Sequence, residues 1–204
     1  MIDRALGGAD LPARVAEAVR AGVDWVQIRD RDLDGAPLLR HAEEIATAAR
    51  AAAAETERGL QVLVNRRVDV ALAMGADGVH LGGDGMEVAS ARALLPAGSL
   101  IGVSTHSPAE ARAATAADYV HLAPVYRPRS KPATRPPLGC AAVGEAAAAG
   151  VPLFAQGGID AGNAGAVLAA GARGVAVTGV LLAADDIAAA TRALRRALDS
   201  AAAR

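Results

Sequence analysis

Pro152-Leu153-Phe154-Ala155-Gln156-Gly157-Gly158-Ile159-Asp160 is the stretch whose reading decides the fold. Its first four residues suit a short buried strand, two glycines follow, and a helix is expected from Asp160 or Ala161. A strand that breaks at Gly-Gly into a helix leaves backbone N–H groups without chain partners at the positive end of a helix dipole. That combination seats a phosphate. Glycine suits the turn because a side chain would hold an anion away from the backbone. The next unit repeats the pattern, with a strand at Gly174–Val177, then Thr178-Gly179, then a turn into the last helix. Two adjacent βα loops of this kind near the C-terminus match the phosphate site after strands seven and eight of a TIM (β/α)8 barrel.

Outward from that stretch, helix and strand textures alternate. Strands are expected at Val23–Ile28, Leu60–Val64, Gly78–Leu81, Leu100–Val103, Tyr119–Leu122, Pro152–Ala155 and Gly174–Val177. Helices are expected at Pro37–Glu57, Arg67–Met74, Met86–Leu95, Pro108–Ala116, Cys140–Ala149, Ala161–Ala170 and Asp185–Ala201. Strands between helices at this pitch predict parallel βαβ units. Ala21-Gly22-Val23-Asp24, Met74-Gly75-Ala76-Asp77 and Ala170-Gly171-Ala172-Arg173 form a recurrent joint, in which glycine closes a helix and the chain drops into the next strand. The seven strands fall one short of a closed barrel. Ile2-Asp3-Arg4 reads as the tail of a truncated first strand. A doubly wound open sheet is the alternative, although its dinucleotide fingerprint is missing.

The 204 residues show no linker and predict one domain over 1–204. With 52% hydrophobic and 2% aromatic residues, the core must be built from Ala, Val, Leu and Ile. A net charge of −1, with no basic stripe, argues against nucleic acid. No apolar run is long enough for a membrane span, and the single cysteine, Cys140, allows no internal disulfide, so a cytoplasmic setting is expected. Cys140 reads as a small buried residue at a helix start. Oligomeric state is not encoded in any pattern we find.

Candidate chemistry lies just past the strand C-termini. Gln27 and Arg29 share a face at the end of their strand. Arg29 offers a planar fork to carboxylate or phosphate, or joins Asp30 and Asp32 in a solvated charge cluster. Asn65 can donate and accept. His106 sits between a strand ending at Val103 and a helix capped by Ser107-Pro108, which places an imidazole at the mouth as an acid–base group. His80 and His121 read as core histidines, and His41 as a helix-surface residue. The Ala123–Leu138 loop carries five prolines and three arginines. Arg127, Arg129, Ser130 and Lys131 in it are candidates for a stiffened lid over phosphate.

Together, Gln27-Ile28-Arg29-Asp30-Arg31, Val64-Asn65-Arg66-Arg67-Val68-Asp69, Gly75–Gly82, Ile101–Ser104, Ala117–Val120 and Gly157-Gly158-Ile159 resemble the thiamine phosphate synthase/TenI superfamily. The resemblance implies a TIM barrel and a phosphorylated thiazole ligand, its phosphate on Gly157, Gly158, Thr178 and Gly179. It further implies substrate contacts from Gln27, Arg29, Arg31, Asn65, Ser104, Ser130 and Lys131. Two departures favour its tautomerase branch. Where the synthase carries magnesium-holding acids, this chain has Arg66 and Gly85, with Asp84 beside the latter. Pro128 replaces a phosphate-directed threonine, and Ser104-Thr105-His106-Ser107 matches the tautomerase segment. The resemblance therefore implies a metal-independent thiazole tautomerase, an isomerase with catalytic His106 and no cofactor. The alternatives are a magnesium-dependent synthase joining a hydroxymethylpyrimidine diphosphate to thiazole phosphate, and a non-catalytic binder of such phosphates.

Overall fold

In a computed structural model, the protein is described at residues 1–2, 4–8, 10–83, 85–128 and 135–203. Seven strands, β1 (Trp25–Ile28), β2 (Gln61–Asn65), β3 (Gly78–Leu81), β4 (Leu100–Thr105), β5 (Tyr119–Leu122), β6 (Leu153–Gln156) and β7 (Gly174–Ala176), pair in parallel in chain order. Helices α1 (Arg4–Gly7) and α2 (Leu11–Arg20) precede β1. Then α3 (Gly35–Ala54), α4 (Val68–Ala73), α5 (Val88–Leu94), α6 (Pro108–Ala113), α7 (Gly139–Ala147) and α8 (Ala164–Ala169) each link successive strands. After β7 come α9 (Gly179–Leu182) and α10 (Ile187–Ala202).

Ring contacts show how far the sheet curls. Trp25 on β1 lies 5.1 Å, centroid to centroid, from both Tyr119 on β5 and Phe154 on β6. Flat strands four apart would stand about 19 Å from one another, at the usual spacing. The faces bearing Trp25, His80, Tyr119, His121 and Phe154 therefore turn inward on a common interior. Gly102 makes this possible, because a Cβ there would stand inside the Tyr119 ring. The opposite faces bury Val26, Ile28, Val62, Val64, Val79 and Ile101 beneath the helices. Apolar residues on both faces are the mark of a covered parallel sheet.

The recurrent joint has a structural purpose. Gly22, Gly75 and Gly171 end α2, α4 and α8 with positive φ. At the Gly75 joint the aspartate that follows secures the neighbouring strand: Asp77 Oδ2 accepts from Val62 N at 2.7 Å. Asp118, in a variant of the joint, accepts from Ile101 N at 2.7 Å and from Arg92. Asp118→Ala should cost about 1 kcal/mol, since a charge-assisted bond is lost at a half-exposed site. Urea denaturation would measure it.

The truncated first strand needs correction. Arg4 opens a helical turn, and among the described residues before it Met1 and Ile2 enter the seam between the sheet edges. The Ile2 N–H donates to Gln27 O at 2.7 Å, and the Met1 amine to Val177 O at 2.9 Å. Two residues thus span from β1 to the end of β7, and a cavity of about 550 Å3 follows the same seam. The described residues form a curled seven-stranded sheet rather than eight paired strands.

Candidate functional site

The C-terminal ends of β1, β2 and β3 carry one side of the mouth. Gln27 is buried, and its Nε2 donates to Asn65 Oδ1 at 3.1 Å, so these two candidates meet. Gln27 Oε1 has no hydrogen-bond partner among the described residues. Arg29 is half-buried just past β1, and Arg31 is exposed in the loop beyond. Asp30 and Asp32 of the expected charge cluster pair with Arg4. Arg66 follows Asn65 with a φ of 66°, the only non-glycine residue with positive φ among those described. Its N–H donates to His80 O at 2.8 Å, which pins it between β2 and β3. Arg67 is held by Asp34 and by Asp69, whose carboxyl the Arg67 hydrogen bonds bring down to about 2.

Beneath the mouth, His80 bridges Tyr119 and Ser104. Its Nδ1 lies 3.1 Å from the Tyr119 hydroxyl and its Nε2 2.9 Å from Ser104 Oγ. Ser104, a substrate candidate, is thus also the upper end of a buried polar chain. Burial pushes the His80 pKa down to about 3. Burial, followed by the His80 charge, pushes His121 well below its ordinary value. His121 was expected to be a satisfied core histidine, yet its Nδ1 has no partner among the described residues. Its ring sits in a packed aromatic interior, 4.2 Å from that of His80. Sequence reading missed Tyr119, although its two-residue spacing from His121 places both rings on one face.

His106 leaves β4 at the rim. Its Nδ1 lies 2.7 Å from Ala123 O, and because a carbonyl only accepts, that nitrogen carries the proton. Ser107 caps α6 as expected, accepting from Glu110 N, while Glu110 reaches back to the His106 N–H at 2.7 Å. The Ser-Thr-His-Ser segment therefore has a structural explanation as a reciprocal helix cap.

Across the mouth, Gly157 and Gly158 have φ of 97° and 64°. Cβ atoms here would meet Pro124 at 2.8 Å and Arg127 O at 2.5 Å, so the loop after β5 packs directly on this turn. The following helix begins at Ala164, later than expected. Asp160 and Asn163 use their side chains on the turn itself: Gly162 N donates to Asp160, Asp160 N to Asn163, and Asn163 Nδ2 to Gly158 O. Thr178 precedes α9, which starts at Gly179. Cys140 is half-buried in the first turn of α7, its Sγ 3.0 Å from the Tyr126 hydroxyl. That contact raises the Tyr126 pKa to about 12. Ser130, Lys131, Arg129 and Asp84 lie outside the described residues. No described helix is long and apolar enough to cross a membrane.

Residues 1–181 match the family described as thiamine monophosphate synthase. A putative thiamine-phosphate synthase of Geobacter sulfurreducens is 46% identical over 195 residues, covering 92% of this chain and 87% of the relative. The thiamine-phosphate synthase of Methanoculleus marisnigri is 45% identical over 186 residues, covering 90% and 84%. Among solved structures, the thiamine phosphate pyrophosphorylase of Pyrococcus furiosus superposes with a TM-score of 0.83 at 30% identity, covering 98% of this chain and 94% of that one. These relatives are named as synthases, which are transferases. That overturns the tautomerase and isomerase expectation.

Proposed function

Since the chain belongs to the thiamine monophosphate synthase family, we propose that it joins a hydroxymethylpyrimidine diphosphate to a thiazole phosphate and releases diphosphate. The observation that carries this reading is the two-sided mouth. Arginine and amide groups follow β1 and β2, and a left-handed glycine turn follows β6. Two phosphorylated substrates need two anion-binding elements, and the mouth offers one on each side. In this assignment Gly157, Gly158, Thr178 and Gly179 hold the thiazole phosphate. Gln27, Arg29, Arg31, Asn65 and Ser104 face the pyrimidine diphosphate. Incubating both substrates with the protein should yield coupled product and diphosphate in equal amounts by mass spectrometry. Absence of product under every ionic condition would reject the reading.

Coupling moves no proton between ring positions, so His106 has no acid–base duty in it. We assign His106 to holding the β4 loop against Ala123. His106→Asn keeps a side-chain N–H for that carbonyl, and its coupling rate should stay within about an order of magnitude of the parent.

The resemblance also implies magnesium, and the described residues do not fit it. None of them form a group of three or more His, Cys, Asp or Glu that could hold a metal ion. At the two positions expected to supply ligands stand a guanidinium, Arg66, and a residue without a side chain, Gly85. Magnesium is held through carboxylates as well as substrate phosphates. Nearby Asp30, Asp34 and Asp69 are each paired with an arginine.

A further inference from the structure

We infer that Arg66 gives the leaving diphosphate the positive charge a divalent ion would otherwise provide, so that coupling runs without one. The inference rests on the synthase reading and concerns how its leaving group is stabilised.

The placement of Arg66 carries the argument. It directly follows the Gln27–Asn65 pair, at the C-terminal ends of β2 and β3, and it is exposed. Its Nε lies 4.0 Å from where a Gly85 side chain would begin, so the guanidinium extends over the β3 turn that Gly82 and Gly85 close. The left-handed backbone is disfavoured for arginine, and such strain collects at sites where a side chain must be aimed.

The chemistry suits a fixed cation. The bond from the pyrimidine methylene carbon to the diphosphate oxygen breaks, and its electron pair stays on oxygen. The thiazole nitrogen lone pair forms the new carbon–nitrogen bond and leaves the ring cationic. No proton, oxidant or reductant is needed. Charge develops on the departing diphosphate, and a guanidinium is permanently charged with a fork that fits two phosphate oxygens.

Two measurements test this. The coupling rate should change little between chelator and millimolar magnesium. By titration calorimetry in chelator, inorganic diphosphate should bind the parent protein and bind Arg66→Gly about tenfold more weakly, the loss of one charge-assisted contact. Glycine accepts a φ of 66°, so the variant should fold with an unchanged or higher thermal midpoint. Arg66→Asn, which also tolerates that conformation, serves as a second variant. Coupling that dies in chelator and returns with magnesium would overturn the inference, as would equal diphosphate binding by parent and variants. Should no coupling occur while diphosphate binding in chelator still depends on Arg66, the synthase reading falls and the anion role of Arg66 stands.

Discussion

Between pH 8 and pH 5 the protein should lose several kcal/mol of stability, with the loss steepening below pH 6.5. The cause is the pair of imidazoles inside the curled sheet. His80 is held neutral down to about pH 3, and His121 is shifted the same way by burial and by its neighbour. In the unfolded chain both titrate near 6.5. Below that pH the unfolded state binds protons that the folded state refuses, so stability is full above 6.5 and falls as pH falls toward 3. At pH 5 His80 alone accounts for about 2 kcal/mol, near 1.4 kcal/mol per pH unit. His121 adds in the same direction. The Met1 amine, pushed down to about 6 by burial, acts likewise between pH 8 and 6. The carboxylate Asp69, brought down to about 2 by Arg67, works in a separate window below pH 4. Urea denaturation at half-unit steps from pH 8 to 5 measures the slope, and His80→Asn should remove about one proton's share of it. A flat profile would mean that water or a partner group reaches these rings.

Much of the fold could be read in the chain. The bounds of β3 and β5 coincide with the sequence reading, because Gly-Ala-Asp and Ala-Ala-Asp joints mark their starts. Where the reading slipped, side chains took over backbone duties. The helix after Gly158 starts at Ala164 because Asp160 and Asn163 bond the turn. Ile2–Arg4 looked like a strand tail because its apolar residue does enter the seam, but Arg4 turns helical. The meeting of Trp25, Tyr119 and Phe154 was not legible. It depends on how far the sheet curls, which no local pattern specifies.

The site was legible in its residue types and misleading in its weighting. Gln27 with Asn65, and the Gly157-Gly158 turn, stand where the sequence put them. Ser104–Ser107 was given a chemical meaning that the helix cap of Ser107 and Glu110 explains equally well. The loss of acids at positions 66 and 85 was taken as a change of reaction. Relatives named as synthases, at 45–46% identity over nine-tenths of this chain, overturn that reading. The left-handed backbone at Arg66, which aims that residue, has no signature in the sequence.

Gly158→Ala should damage coupling more than any other single-methyl change at the mouth. Two costs fall on one atom. An alanine with φ near 64° pays roughly 1–2 kcal/mol for the left-handed conformation. Its Cβ would also stand 2.5 Å from Arg127 O and 2.8 Å from Tyr126 Cβ, against backbone that cannot swing aside like a side-chain tip. Relief requires the β6 turn and the β5 loop to part, at a further cost of roughly 1–3 kcal/mol. Tyr126 N donates to Gly157 O at 2.9 Å and Val125 N to Gln156 O at 2.8 Å, so parting breaks the lacing between the two loops. The cradle assigned to the thiazole phosphate is half of what moves. We therefore expect KM for that substrate to rise at least about tenfold, the effect of displacing one anion contact. KM for the pyrimidine diphosphate, handled across the mouth, should change far less. Steady-state kinetics with each substrate varied in turn separates the two. Gly165→Ala, on the outer helix α8, where a Cβ meets only Ala201 at 3.7 Å, should leave both values unchanged. If Gly158→Ala instead raised both KM values alike, the loss would be one of general folding, and the division of the mouth into two anion sites would have to be abandoned.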